Sequence, residues 1–143
     1  MTINKMTANH TTEVIEMMRE FYASPAVSTN GSEEIFKNDV ENCINDSPYL
    51  EGYVFVKEER IIGYAMLAKS FSTEFGKPCV WIEDIYFKAE YRGKGFGTEF
   101  LNFVTEKYKD SLLRLEVEED NRCAVHTYRK NGFSTLPYME LKK

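Results

Sequence analysis

Trp81-Ile-Glu-Asp-Ile-Tyr-Phe-Lys-Ala-Glu-Tyr-Arg-Gly-Lys-Gly-Phe-Gly-Thr98 contains three consecutive structural signals. Val80, Trp81, Ile82, Ile85, Tyr86 and Phe87 are β-branched and aromatic residues suited to a buried strand. Arg92, Gly93, Lys94, Gly95 and Gly97 then form a basic, glycine-rich turn. Phe96, Phe100, Leu101, Val104 and Tyr108 recur at helical spacing, so a helix follows directly. Glycines let a backbone approach a ligand closely. The first amides of a helix lack intrahelical acceptors and carry the positive end of its dipole. With Arg92 and Lys94 at the same place, the construction predicts an anion site built for phosphate.

Working outward, Thr2 to Met6 reads as a first strand. Val14, Met17, Met18, Phe21 and Tyr22 line one face of a helix that must stop near Ser24-Pro25. Asn30-Gly31-Ser32 opens a second helix, with Phe36, Val40, Cys43 and Ile44 facing inward and Ser47-Pro48 at its end. Tyr53 to Val56 and Ile61 to Ala68 read as a hairpin joined by Lys57-Glu-Glu-Arg60. Gly76-Lys77-Pro78 precedes the strand that feeds the glycine turn. Leu113, Leu115 and Val117 alternate as another strand. Asp120 or Asn121 caps a short helix that Asn131-Gly132 closes, and Phe133 to Leu141 reads as a last strand. The predicted order is β-α-α-β-β-β-α-β-α-β: a mixed α/β (α+β) sheet, antiparallel in its first half, with one topological break where ligands tend to sit.

The chain has 143 residues, 43% of them apolar and 14% aromatic, which fits a single domain over residues 1–143. No stretch of 18 apolar residues and no signal-peptide pattern occur, so the expected setting is cytoplasmic, with no membrane partner. A net charge of -5 argues against a nucleic-acid partner. Cys43, Cys79 and Cys123 are widely spaced without a C-x-x-C pair, and only two histidines accompany them, so no metal site is expected.

Three phosphate-binding patterns compete for the turn. The P-loop run Gly-x-x-x-x-Gly-Lys-Ser/Thr is absent. The dinucleotide pattern Gly-x-Gly-x-x-Gly fails because Gly93, Gly95 and Gly97 are evenly spaced and Thr98 stands where a glycine belongs. The third pattern is Arg92-x-x-Gly95-x-Gly97, with Asn121 following Gly97 by 24 residues and Tyr128 following Asn121 by seven. In these residues, and in element order, the chain resembles the GNAT superfamily of N-acetyltransferases. Gly63-Tyr-Ala-Met66, Phe71-x-Thr73-x-x-x-Lys77, Ile82-Glu-Asp-Ile-Tyr-Phe87 and Tyr91-Arg-Gly93 are similar to the spermidine/spermine (diamine) N-acetyltransferase branch. Roughly residues 61 to 133 carry that closer similarity. The longer C-terminal segment of the polyamine enzymes has no counterpart here.

The resemblance implies a transferase that moves an acetyl group from acetyl-CoA to a primary amine, with a small polyamine or diamine as the leading acceptor. A protein lysine or N-terminal acetyltransferase and a non-catalytic CoA-binding regulatory domain remain as alternatives, and a homodimer is compatible with either reading. Arg92, Gly93, Lys94, Gly95, Phe96, Gly97 and Thr98 would hold the pyrophosphate, the backbone of Ile85, Tyr86 and Phe87 the pantetheine arm, and Asn121 would add a further contact. An alkylammonium has a pKa of about 10.4, so a base is needed to expose its lone pair. Glu83 is the candidate base or substrate contact. Tyr128, whose phenol titrates near 10, is the candidate acid for a thiolate leaving group. Asp84 would point away from Glu83's face in a regular pleat, unless a bulge reverses the parity. Glu33, Glu34, Glu51, Glu74, Glu83 and Asp84 are further candidates to receive a cation.

Overall fold

The computed structural model describes residues 1–27 and 31–143, and Asn30, expected at the start of the second helix, lies outside them. Five strands, β1 (Thr2–Lys5), β2 (Leu50–Lys57), β3 (Arg60–Ser72), β4 (Lys77–Phe87) and β5 (Leu112–Leu115), form one sheet in sequence order. Pairing is antiparallel from β1 to β4 and parallel between β4 and β5. Helices α1 (Thr11–Tyr22) and α2 (Glu33–Ile44) follow β1, α3 (Phe96–Lys107) bridges β4 to β5, and α4 (Arg122–Lys130) comes last.

Each helix end has a local cause. The α1 helix stops at Tyr22, just before Ser24-Pro25. Ser32 caps α2 by accepting the Ile35 amide at 3.3 Å. Asn121 caps α4 by accepting the Ala124 amide at 3.3 Å, and Gly132, at φ 88°, takes the left-handed turn after it. The Lys57–Arg60 hairpin turns through Glu58 and Glu59, both at positive φ. Two consecutive positive φ values give the twist that suits a two-residue hairpin, although glutamates occupy it.

Two apolar clusters sandwich the sheet. Val14, Met17 and Met18 of α1 and Phe36 and Val40 of α2 pack with Val54, Tyr64, Met66 and Tyr86 on one face. On the other face, Phe100, Leu101 and Val104 of α3 meet Phe55, Leu67, Val80 and Ile82, and Tyr128 and Phe133 pack at the edge of this group. Along β4, Val80 and Ile82 therefore face α3, whereas Asp84 and Tyr86 face α1 and α2. Strict alternation would put all four on one side. The parity changes because Met66 pairs with Asp84 and Leu67 with Ile82, leaving Glu83 as the extra residue of a β-bulge.

The expected strand over Phe133–Leu141 does not form: residues 133–143 carry no strand. Pro137 offers no N–H to a ladder, and Leu136, Tyr138, Met139 and Leu141 are exposed instead of packed. β5 is also shorter than expected, ending at Leu115 before Val117.

At the end of the sheet where β2 begins, Glu51 locks three elements together. Its carboxylate, 13% exposed, accepts from Tyr53 Oη at 2.6 Å, Tyr108 Oη at 2.7 Å, Lys107 Nζ at 2.8 Å and Lys69 Nζ at 3.3 Å. Burial alone would raise its pKa, but the bonds from Lys107, Tyr53 and Tyr108 outweigh it and hold the carboxyl far below the usual range. A depressed folded-state pKa gives stability that is present above the ordinary carboxylate pKa and lost as pH falls. Glu51→Gln should therefore cost about 2–4 kcal/mol at pH 7. The gap from wild type should narrow in urea titrations carried down toward pH 3. An equal gap at both pH values would refute the assignment.

Candidate active site

The site grows from the bulge. β4 and β5 pair from Cys79↔Leu112 to Ile82↔Leu115, and no pairing continues past that point. From Glu83 onward β4 has β3 on one side and an open edge on the other. The Lys88 amide donates to Ile62 O at 2.9 Å, so in an antiparallel ladder Tyr86, two residues earlier, also spends its backbone on β3. In agreement, a Cβ added to Gly63 would lie 2.2 Å from the Tyr86 carbonyl oxygen, a contact only glycine tolerates. Ile85 and Phe87 alternate with Tyr86 and turn their backbone groups to the open edge. Of the three residues expected to present backbone there, Tyr86 does not.

The glycine turn follows at once. Gly93 and Gly95 sit at φ 70° and 84°, in the left-handed region, and a Cβ at either would meet nothing within 4 Å. Open space lies over the turn. Gly95 is the N-cap of α3 and, among the described residues, no side chain caps that helix, so its first amides are left for another partner. Gly97 faces α4, where a Cβ would reach only Thr127 Cγ2 at 4.0 Å, and Thr98 Oγ1 lies 3.4 Å from Asn131 Nδ2. Arg92 donates from Nε to the Phe87 carbonyl at 2.8 Å and lays its guanidinium against the Tyr86 ring, 5.3 Å from the centroid. Lys94 lies over Tyr91, and Phe96 stacks on Phe87 at 6.2 Å. A bare β-edge, an uncapped helix start and two basic side chains thus share one end of α3. A long ligand with an amide-bearing arm and a phosphate group fits that combination.

Glu83 and Tyr128 flank this region on different elements and share no hydrogen bond among the described residues. Solvent reaches Glu83, yet partial burial raises its carboxyl pKa, with Glu140 and Asp39 adding like-charge repulsion. Tyr128 packs edge-on to Phe133 at 5.9 Å, and burial raises its phenol, keeping it a proton donor. Asn121 serves as the α4 cap. Several acids expected to be free are already engaged. Arg19 pairs with Glu33, its Nη2 lying 2.9 Å from Oε2. Tyr138 donates to Glu74 at 2.6 Å, and Glu51 is locked as described. Two further carboxylates stand near the site: the Glu140 carboxyl beside Glu116 raises the pKa of Glu116, and burial and Glu83 add to that rise.

A family model for the Acetyltransferase (GNAT) family matches residues 13–133. The chain belongs to the GNAT acetyltransferase family. Among curated relatives, it is 37% identical over 83 residues to the thialysine N-epsilon-acetyltransferase of Bos taurus, covering 56% of this chain and 48% of that protein. It is 26% identical over 100 residues to the spermine/spermidine N(1)-acetyltransferase of Bacillus subtilis, covering 64% and 66%. The match thus spans about half the length of the bovine relative. Two solved structures share the fold. One, described as a predicted acetyltransferase with acetyl-CoA from Clostridium acetobutylicum, has a TM-score of 0.80 at 17% identity over 99% of this chain and 95% of the other. The other is AAC(6')-Iy in complex with a CoA-containing bisubstrate analog, with a TM-score of 0.79 at 14% identity over 99% and 96%.

Asp84, the neighbour of Glu83, is 4% exposed and accepts from Tyr64 Oη at 2.9 Å and Tyr22 Oη at 3.3 Å. Burial pushes its pKa up to about 6; Asp39 and Glu83 add to the rise, and the two phenols oppose it. Because the folded-state value lies above the unfolded one, this group's contribution is fully present below about pH 4 and is lost as pH rises through about 6. Asp84→Asn cannot titrate. Relative to wild type its melting temperature should rise steadily between pH 4 and pH 7, by several degrees in all. A pH-independent difference would contradict the assignment.

Proposed function

We propose that this chain is an acetyl-CoA-dependent N-acetyltransferase whose acceptor is a small primary amine, with a diamine or polyamine as the preferred class. The observation that carries the reading is the split between β4 and β5 at Glu83, directly upstream of the uncapped α3 N-terminus. Acetyl-CoA, when bound, supplies an activated acyl carbon and a thiolate leaving group.

The roles of the chain's own residues follow from that placement. The amides at the start of α3, with Arg92 and Lys94, neutralise the pyrophosphate. The open backbone groups of Ile85 and Phe87 take the amide-bearing arm in the manner of an added strand, and an edge amide polarises the carbonyl to be attacked. Glu83, exposed at the bulge, accepts a proton from the ammonium, directly or through water. The neutral amine then forms the new C–N bond as the C–S bond breaks. Tyr128 donates a proton to the departing sulfur, and the second proton shed by the nitrogen as the amide forms returns to Tyr128 through water, so the net release is the one proton taken at Glu83.

The acceptor class rests on charge. Glu83 lies in the field of Asp39 and Glu140, with Glu116 beside the latter. Such surroundings favour a second ammonium on the acceptor and disfavour a carboxylate. The curated relatives name both chemistries, polyamine in one case and a lysine-like amino acid in the other. The acidic surroundings favour the first.

The test is acetyl-CoA turnover across diamines, polyamines, thialysine, monoamines and peptides, with two variants beside wild type. Diamines or polyamines should give the highest kcat/KM. Tyr128→Phe should lose about 10² or more in kcat with CoA affinity nearly unchanged. Glu83→Gln should lose most at neutral pH and recover partly as pH rises and solvent supplies free amine. Preference for thialysine would move the acceptor to the amino-acid class. Full activity of both variants would remove the assigned acid and base.

A further inference from the structure

Arg92 is held from behind by a chain of contacts that begins on α1. Glu20 stands in the last turns of that helix, and its carboxylate accepts the Tyr86 hydroxyl. The Tyr86 ring is buried, 4% exposed, and the guanidinium of Arg92 rests against it. Arg92 Nε is fixed on the Phe87 carbonyl at 2.8 Å. One side of the guanidinium is thus spent on β4 itself, on the strand that leads directly into the glycine turn.

Tyr86 stands between opposite charges, and burial together with Glu20 raises its pKa to about 12 while Arg92 pulls the other way. A phenol that donates to a carboxylate has a more electron-rich ring, which binds a cation more strongly. The anchoring of α1 does not depend on this contact alone, because Lys88 Nζ bonds Glu13 Oε1 at 2.6 Å one residue beyond β4. Glu13 and Glu20 lie seven residues apart on one face of α1 and reach Lys88 and Tyr86 in register.

We propose that Tyr86 and Glu20 are positioning residues: they aim the Arg92 guanidinium at the pyrophosphate and so tie α1 energetically to the nucleotide half of the site. This rests on the reading of the glycine turn as the CoA cradle. Fixing a long side chain in its binding geometry before the ligand arrives removes an ordering cost from the binding step. The same contact takes the Phe87 carbonyl out of service for the ligand. On the open edge, the Ile85 amide and carbonyl and the Phe87 amide are left to set the register of the bound arm.

The experiment is calorimetric titration with CoA of wild type, Tyr86→Phe, Glu20→Gln, Arg92→Ala and the Tyr86→Phe/Arg92→Ala double variant, with steady-state kinetics in parallel. Tyr86→Phe keeps the ring and removes the link to Glu20. It should weaken CoA about three- to tenfold and raise the KM for acetyl-CoA, with kcat at saturation within about twofold of wild type. Glu20→Gln, a change at an exposed position that leaves the core intact, should weaken CoA in the same direction by less. In the Arg92→Ala background the effect of Tyr86→Phe should vanish, since the residue acts through the guanidinium. Wild-type affinity in Tyr86→Phe, or an undiminished loss in the Arg92→Ala background, overturns the inference while leaving the cradle intact. Equal CoA affinity in wild type and Arg92→Ala overturns both.

Discussion

One extra residue in β4 organises the molecule. With Glu83 inserted opposite Met66 and Leu67, the strand enters facing α3 through Val80 and Ile82 and leaves facing α1 and α2 through Asp84 and Tyr86. The same residue follows the last β4–β5 pair. A single irregularity therefore changes the face of every later side chain, frees an edge of backbone, and raises a carboxylate at the junction. Without it, Asp84 would take the α3 face, away from the tyrosines that satisfy it. A buried carboxylate without such partners is expensive, so Tyr64 and Tyr22 hold the bulge in place as much as the bulge places them.

The two ends of the sheet are treated differently. Around Glu51, each polar group is matched by a partner, and two lysines and two tyrosines converge on one carboxylate. At the other end, the α3 N-terminus lacks a side-chain cap and two glycines stand in left-handed conformations under open space. Local stability is thus concentrated away from the glycine turn. Unsatisfied backbone donors collect at the place where a ligand could satisfy them.

Much of this was legible in the residues. The strand–turn–helix unit from Val80 to Tyr108 declares itself because β-branched runs, glycines and a helical apolar stripe are local signals. The caps at Ser32, Asn121 and Gly132 were equally readable. Sequence pattern failed where the decision was tertiary. Phe133–Leu141 carries aromatic and aliphatic residues that suit a strand, but among the described residues no strand pairs with it. The bulge at Glu83 is a property of β3 and β4 together, so Asp84's side could be stated only conditionally. The contact of Glu20 with Tyr86, and the effect of Glu140 on Glu116, join residues far apart in sequence, and spacing says nothing about them.

The central claim is that the edge of β4 beyond the bulge and the start of α3 form one binding surface for CoA. Amide hydrogen exchange read residue by residue, with and without saturating CoA, tests it most directly. The amides of Ile85, Phe87 and residues 96–98 should slow by about tenfold or more on binding, while that of Tyr86, already paired to β3, should change little. Uniform protection across the sheet, or none at Ile85 and Phe87 under conditions where CoA is bound, would contradict the account.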